Sequence, residues 1–307
     1  MRTKQEQNKV RRRLLYLWFP HFSIERHKRI EIDKRAKQDD FSGIIIIQDR
    51  AGRRVVIASC PLAFQMGVAV GLSLEDALAA CPSLLVFEAD LIADQLAIET
   101  LARWCGRYTP LVSIDKANKG LGNAGIWLDI TGCAHLFGGE ADLLNDIIAR
   151  LTAINWTAFG AISDTPGSAW AVARFSGGVT QLIAPGEQQA ALSELPLSAL
   201  RLPKNTVDDL SKVGLRKISQ LMLVPRAPLR ARFGKNIRLR LDQALGIEKE
   251  TVSPQTLHSP YLARLVLLEP ISNSETIKQI LGHLLPQVIE MLVTRSLGIR
   301  QLRLSLY

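Results

Sequence analysis

Asp115 is the residue around which chemistry would have to be built. It closes the short run Val112-Ser113-Ile114, and a second run, Trp127-Leu128-Asp129-Ile130, follows a loop over 118–125 rich in Gly and Asn. Two β-branched or apolar runs joined by such a loop predict a β-hairpin. A carboxylate at the end of a strand is a ligand for a hard divalent cation. Its neighbour is Lys116, whose ammonium would repel that cation. The chain carries part of a metal site with a positive charge set against it.

Placing Asp115 needs a sheet, and the flanking sequence predicts one. Residues 14–19 read as a buried strand stopped by Pro20, with Trp18 near its end. Ser23 is the expected cap of a helix over 24–37. Residues 44–47 and 55–58 pair across a turn at 49–52, and 84–87 is a further strand. Short helices are expected over 61–66, with Gly67 as stop, and from Ser73 to just before Pro82. A long amphipathic helix over 90–108 turns Leu91, Leu96, Ile98, Leu101 and Trp104 inward. A helix over 140–154 does so with Leu143, Leu144, Ile147, Ile148 and Leu151. A strand over 157–162, a helix over 168–174 opened by Thr165-Pro166-Gly167, and a strand over 179–183 complete the alternation, which argues α/β or α+β.

From Leu195 the character changes to short helices punctuated by Pro and Gly. Segments 210–215 and 231–234 each place a Gly after a basic helical turn. Such turns occur in helix-hairpin-helix modules, whose backbone amides meet phosphates, and also in ordinary small helical bundles. Residues 253–260 form a Pro-, Ser- and His-containing linker. Residues 262–270, 274–295 and 299–307 then read as the start of a β-α-β unit, so the chain is expected to be a fragment of a longer protein.

The formal charge of +9 comes from 38 basic and 29 acidic side chains, and it is concentrated. Between Arg201 and Arg240 eleven Lys and Arg face only Asp208 and Asp209. Nine more basic residues against two acids fall in the first thirty positions, of which 1–12 read as disordered. An excess gathered in one segment points to an anionic partner, nucleic acid or a membrane surface. Residues Lys204, Lys212, Arg216, Lys217, Arg230, Arg232 and Lys235 are the expected phosphate contacts. Cys60, Cys81, Cys105 and Cys133 form no CxxC pair, which predicts neither a zinc site nor a disulfide framework. No secretory leader or spanning segment is read, and the expected location is the cytoplasm.

The order of these pieces resembles the Y-family (DinB/UmuC-type) translesion DNA polymerases. Ser113-Ile114-Asp115 and Leu128-Asp129-Ile130-Thr131 are similar to that family's S-I-D-E-A and L-D-x-T motifs. Gly67-Val68 through Gly71-Leu72, then Ala77 to Cys81-Pro82, is similar to its fingers motif. The resemblance implies an α+β fold: palm (13–21 and 88–185), fingers (22–87), a thumb (186–250) with helix-hairpin-helix-like turns, then a linker and partial α/β little finger (251–307). Such enzymes transfer nucleotides with two Mg²⁺ ions held by converging carboxylates. Here the first-strand carboxylate position is assigned to Trp18, and the paired acid after Asp115 is Lys116. The phosphate-binding Arg and Lys positions are assigned to Phe64 and Trp170.

These departures, with the runs at 15–20, 127–140, 164–175 and 232–246, resemble the ImuB branch of the family. That implies no catalytic residues, no metal and no cofactor. The implied role is a DNA-binding scaffold or adaptor in SOS-induced translesion synthesis and mutagenesis. Its implied partners are damaged or primer-template DNA, a sliding clamp, a RecA-like accessory protein and an error-prone C-family polymerase α subunit, with no membrane. An alternative is an active error-prone translesion polymerase whose Mg²⁺ ligands come from elsewhere, with Asp129 and Asp164 as candidates. A third reading is a protein-binding platform that no longer grips DNA. Trp18 and Trp170 are expected to fill the emptied nucleotide site.

Overall fold

The computed structural model describes residues 11–34, 43–118, 120–252, 262–267 and 273–294, together with 298, 299, 302 and 304. The chain forms two units, Met1–Thr256 and Leu257–Tyr307. In the first, β1 (Leu14–Phe19) lies mid-sheet, paired antiparallel with β6 (Ala124–Asp129) and β7 (Phe159–Ser163). β5 (Val112–Ile114) extends the sheet beyond β6, and β8 (Gln181–Leu182) beyond β7, giving the order β5-β6-β1-β7-β8. Leu14, Leu15, Tyr16, Leu17 and Phe19 are all buried, because both faces of the sheet are covered. Beneath Gly160 of β7 lie Leu15, Leu17 and Leu144 of helix α5 (Glu140–Ala153). On the opposite face Tyr16 and Trp18 pack with α6 (Pro166–Phe175).

A smaller sheet of order β3-β2-β4 is built from β2 (Ile44–Arg50), β3 (Arg53–Ser59) and β4 (Leu85–Glu88). Around it lie α1 (Phe22–Lys34), α2 (Pro61–Gln65) and α3 (Leu74–Ala80). Its core is a β-branched and small-residue cluster, Ile44 to Ile47 with Val56, Ile57, Ala63, Val68 and Ala77. Helix α4 (Leu91–Cys105) packs on β5 and β6.

The helical segment follows as α7 (Gln188–Ser193), α8 (Lys204–Lys212), α9 (Ile218–Met222), α10 (Arg226–Phe233) and α11 (Lys235–Leu245). It shares one continuous core with α6 and the large sheet, running from Tyr16 and Trp170 to Leu210, Leu229 and Leu241. The join is close. Thr165 caps α6 by accepting from the Ser168 amide, and its hydroxyl donates to the Ala244 carbonyl at 2.8 Å. A Cβ on Gly167 would lie 2.8 Å from Ala244 Cα, so only glycine lets α6 and α11 meet there. In the second unit the described residues hold one helix, α12 (Ser274–Val293).

The sheet and the alternation follow the sequence reading, with particular corrections. Ser23 is not a cap: α1 already begins at Phe22, and the Ser23 hydroxyl donates to Asp94 at 2.6 Å. Leu96 is exposed rather than core, since the buried stripe of α4 runs through Ile98, Leu101, Ala102 and Cys105. Ile148 is only partly buried. Arg12, placed in the disordered N-terminus, is bonded to Asp129 and to the Glu250 carbonyl, while residues 1–10 lie outside the described residues. Residues 262–267 are not a strand, and most of 299–307 lies outside the described residues.

Candidate functional site

Asp115 follows the last residue of β5, its amide bonded to the Gly125 carbonyl at 2.9 Å. Its Oδ2 accepts three hydrogen bonds: from Tyr16 Oη at 2.8 Å, Asn118 Nδ2 at 3.0 Å and Trp170 Nε1 at 3.2 Å. Its Oδ1 accepts from the Ala117 amide at 3.1 Å. The sequence reading put Trp18 in the place of the missing strand carboxylate. Trp18 is in register with Gly125, whose carbonyl accepts from the Asp115 amide, while the β1 side chain that reaches the Asp115 carboxylate is that of Tyr16, two residues earlier. It reaches across because Gly125 has no side chain: a Cβ there would stand 2.1 Å from the phenol oxygen. Burial first, then the adjacent Asp115 charge, push the Tyr16 pKa well above its ordinary value, so it stays a donor.

Around this hub the aromatic residues stack on arginine. The Arg174 guanidinium lies 4.6 Å from the Trp170 ring centre and 5.0 Å from that of Trp18, and it donates to Asn118 Oδ1 at 2.7 Å. Such cation–π contacts favour a desolvated guanidinium. Asn118 is thereby committed at both ends, to Tyr16 and Asp115 on one side and to Arg174 on the other. Lys116 is exposed and Phe64 is 63% exposed on α2, so neither belongs to this cluster.

The loop before β6 also turns inward. Gly122 packs against β3 so closely that a Cβ would lie 2.4 Å from Ala58 Cβ, and its carbonyl accepts from the Ser23 amide at 3.1 Å. This loop therefore ties the small sheet to the start of α1. Beside it is a cavity of about 360 Å³ lined by Ser23, Asp94, Lys116, Asn118 and Asn123 among others. The carboxylate of Asp94 is occupied by Ser23 and Arg26.

The donor set at Asp115 does not fit a pair of divalent cations. A cation at Oδ2 would have to displace three N–H or O–H donors. Asp129 is engaged by Arg12 and Thr131, and Asp164 by Arg13 and the Gly186 amide. Both carboxylates thus serve the opposite end of β1, where Leu14 is in register with Asp129. Among the described residues no group of three His, Cys, Asp or Glu could hold a metal ion.

All seven basic residues singled out on the helical segment are exposed. Two are engaged: Lys212 with Asp209 at 2.8 Å and Lys217 with Glu194 at 2.6 Å. Arg232 lies over the ring of Phe233. Lys204, Arg216, Arg230 and Lys235 make no ion pair among the described residues. The two glycine turns exist, with φ of +85° at Gly214 and +82° at Gly234, the latter joining α10 directly to α11. Sequence reasoning missed Tyr16, Asn118, Gly122 and Arg174. The Gly- and Asn-rich loop was the available signal for two of them.

Residues 38–174 match the impB/mucB/samB family. Protein ImuB of Caulobacter vibrioides is 41% identical over 236 residues, covering 77% of this chain and 50% of that protein. DNA polymerase IV of Serratia proteamaculans is 29% identical over 239 residues, covering 75% of this chain and 65% of the enzyme. The chain spans about half the length of the ImuB relatives it matches. Among solved structures, DinB from Sulfolobus solfataricus superposes with a TM-score of 0.63 at 15% identity, covering 78% of this chain and 69% of that one. An insertion ternary complex of Dbh DNA polymerase gives 0.64 at 16% identity, with the same coverage. Among the described residues no helix is long and apolar enough to cross a membrane.

Proposed function

Because the chain carries an impB/mucB/samB domain on a Y-family polymerase fold and is homologous to ImuB, we propose that it is a non-catalytic member of that family, a DNA-binding scaffold in damage-induced translesion synthesis. The observation that carries this reading is the Asp115 carboxylate, whose Oδ2 is taken up by Tyr16, Asn118 and Trp170. In-line phosphoryl transfer needs two cations held by converging carboxylates. Here the nearest strand partner is a phenol, and the loop after Asp115 packs back onto the small sheet through Gly122. The fold is kept and the reacting centre is filled from within.

DNA binding is supported by the four exposed, unpaired cations of the helical segment and by the helix–glycine–helix turns that carry them. In this reading residues 13–21 and 88–185 serve as palm, 22–87 as fingers and 186–250 as thumb. A sliding clamp, a RecA-like accessory protein and a C-family polymerase α subunit are the proposed protein partners of the assembly.

The test is binding of a fluorescent primer–template across a salt series with Mg²⁺ and all four nucleotides present, and the same samples run on a denaturing gel. Salt-dependent binding without primer extension is the expected result. Extension that Asp115→Ala abolishes would overturn it.

A further inference from the structure

The β2–β3 hairpin carries charge that the centre around Asp115 and the helical segment leave unused. Its two-residue loop, Ala51-Gly52, has φ of +56° and +79°, the left-handed pair that suits the twist of a tight hairpin. The Gly52 amide donates to Asp49 Oδ1 at 2.9 Å, fixing the loop. In this register Arg50 stands directly opposite Arg53, and Arg54 opposite Asp49. Like charges directly opposite on a strand pair are destabilising. All three arginines are exposed, and none forms an ion pair among the described residues. The Arg50 Nε contact to Gln48 is long, at 3.4 Å.

Arg54 alternates to the other face, opposite Asp49, and the register leaves Arg50 and Arg53 across from one another on one face of the tip. An anion between them would remove the repulsion. Arginine's planar fork suits phosphate, which it can engage with two parallel N–H donors. We propose that the tip of this hairpin is a second phosphodiester-binding site, made by Arg50 and Arg53 and distinct from the cations of the helical segment. It rests on the reading that the protein binds DNA. The phosphodiester backbone can be that of a duplex or of a single strand extending from it.

The experiment compares the full chain with the double variants R50Q/R53Q and R50K/R53K. The probes are a labelled blunt duplex and the same duplex with a single-stranded 5′ overhang, each across a salt series. The Gln variant should lower the log–log salt slope by about 2 and weaken low-salt affinity roughly tenfold, because each lost phosphate contact removes about one unit of slope. The Lys variant should retain the slope, and both should melt like the parent. Loss on both probes assigns the site to duplex backbone. Loss on the overhang probe alone assigns it to the single strand. Unchanged affinity and slope for the Gln variant, while Lys204, Arg216, Arg230 and Lys235 substituted by Gln weaken binding, would overturn this site alone. Failure of the parent protein to bind either probe would remove the DNA-binding reading as well.

Discussion

The phenol of Tyr16 crosses over Gly125 to donate a 2.8 Å hydrogen bond to Asp115. The glycine is what allows it, since any side chain there would occupy the space of the phenol. A strand residue of one hairpin arm and a carboxylate at the end of another are thereby joined across the strand between them. The pair is the centre of a buried polar network that includes Trp170, Asn118 and Arg174.

Removing the carboxylate should therefore harm folding rather than an activity. Asp115→Ala leaves the buried Tyr16 hydroxyl and two N–H groups short of an acceptor, and should cost about 3 kcal/mol given ~1–3 kcal/mol per unsatisfied buried group. Tyr16→Phe deletes one donor and should cost about 1.5 kcal/mol, near the lower end for a hydrogen bond to a charged group. Urea unfolding of both variants gives the comparison. An Asp115→Ala protein as stable as the parent would show that the network does not hold the fold.

Gly125→Ala should be more damaging than its size suggests. The added methyl would meet the Tyr16 hydroxyl at 2.1 Å and the ring at 2.6 Å, so Tyr16 must leave Asp115. Overpacking of this kind costs about 1–3 kcal/mol. The double variant Gly125→Ala with Tyr16→Ala should recover part of that loss, which denaturant melts of the four proteins would measure as coupling.

The strands, the opening of α6 at Thr165-Pro166 and the exposed basic segment were legible because each is written locally: β-branched runs, a Thr-Pro pair, clustered charge. The hydrogen bond from Tyr16 to Asp115 was not. It depends on a phenol leaning across a neighbouring strand, which motif spacing does not encode. The position that spacing assigns to Trp18 is in register with Gly125, beside Asp115, and Trp18 shares the face of Tyr16. Leu96 was misread as core because helical periodicity shows which side chains share a stripe and not which stripe is covered. Asn118 and Gly122 sat in a loop whose composition announced a turn, while its inward packing against Ala58 depends on a distant strand.

Restoring carboxylates at the two departing motif positions should still yield no polymerase. Trp18→Asp with Lys116→Glu puts acids at those positions, yet Tyr16, Asn118 and Trp170 still occupy Asp115 and Gly122 still anchors the loop to β3. The expected outcome is a destabilised protein without primer extension in Mg²⁺. Nucleotide incorporation by this double variant would show that the site is blocked by Trp18 and Lys116 alone.

The basic residues of the helical segment should divide by whether they are already paired. Substituting Lys204, Arg216, Arg230 and Lys235 together by Gln should lower the salt slope of DNA binding by about 3–4, one unit for each lost phosphate contact. Substituting Lys212 and Lys217, which face Asp209 and Glu194, should change it less per residue, because each must first give up its acid. Fluorescence anisotropy across a salt series separates the two sets. Equal slopes per residue would show that the ion pairs open freely on binding.

Glu25 gives a stability change with a defined sign. It lies in the first turn of α1 and accepts from the Thr157 amide at 3.0 Å. Burial raises its pKa above the ordinary carboxylate value, against the opposing pull of that hydrogen bond and of Lys28 and Arg29. A raised folded-state pKa means that the folded protein holds the proton more tightly than the unfolded chain. The stabilisation is full below the unfolded value of 4.5 and is lost as pH rises through the higher folded value. Glu25→Gln keeps an acceptor for Thr157 and never ionises, so it should melt higher than the parent at neutral pH. The two curves should converge as pH falls toward the ordinary carboxylate range. His21 works the other way, since burial and Lys28 lower its pKa, and its contribution is lost as pH falls through the ordinary His range. It is present in both proteins, so it cancels in the difference between their melting temperatures. A Glu25→Gln protein that melts lower at neutral pH would mean that the charged form is the one the fold prefers.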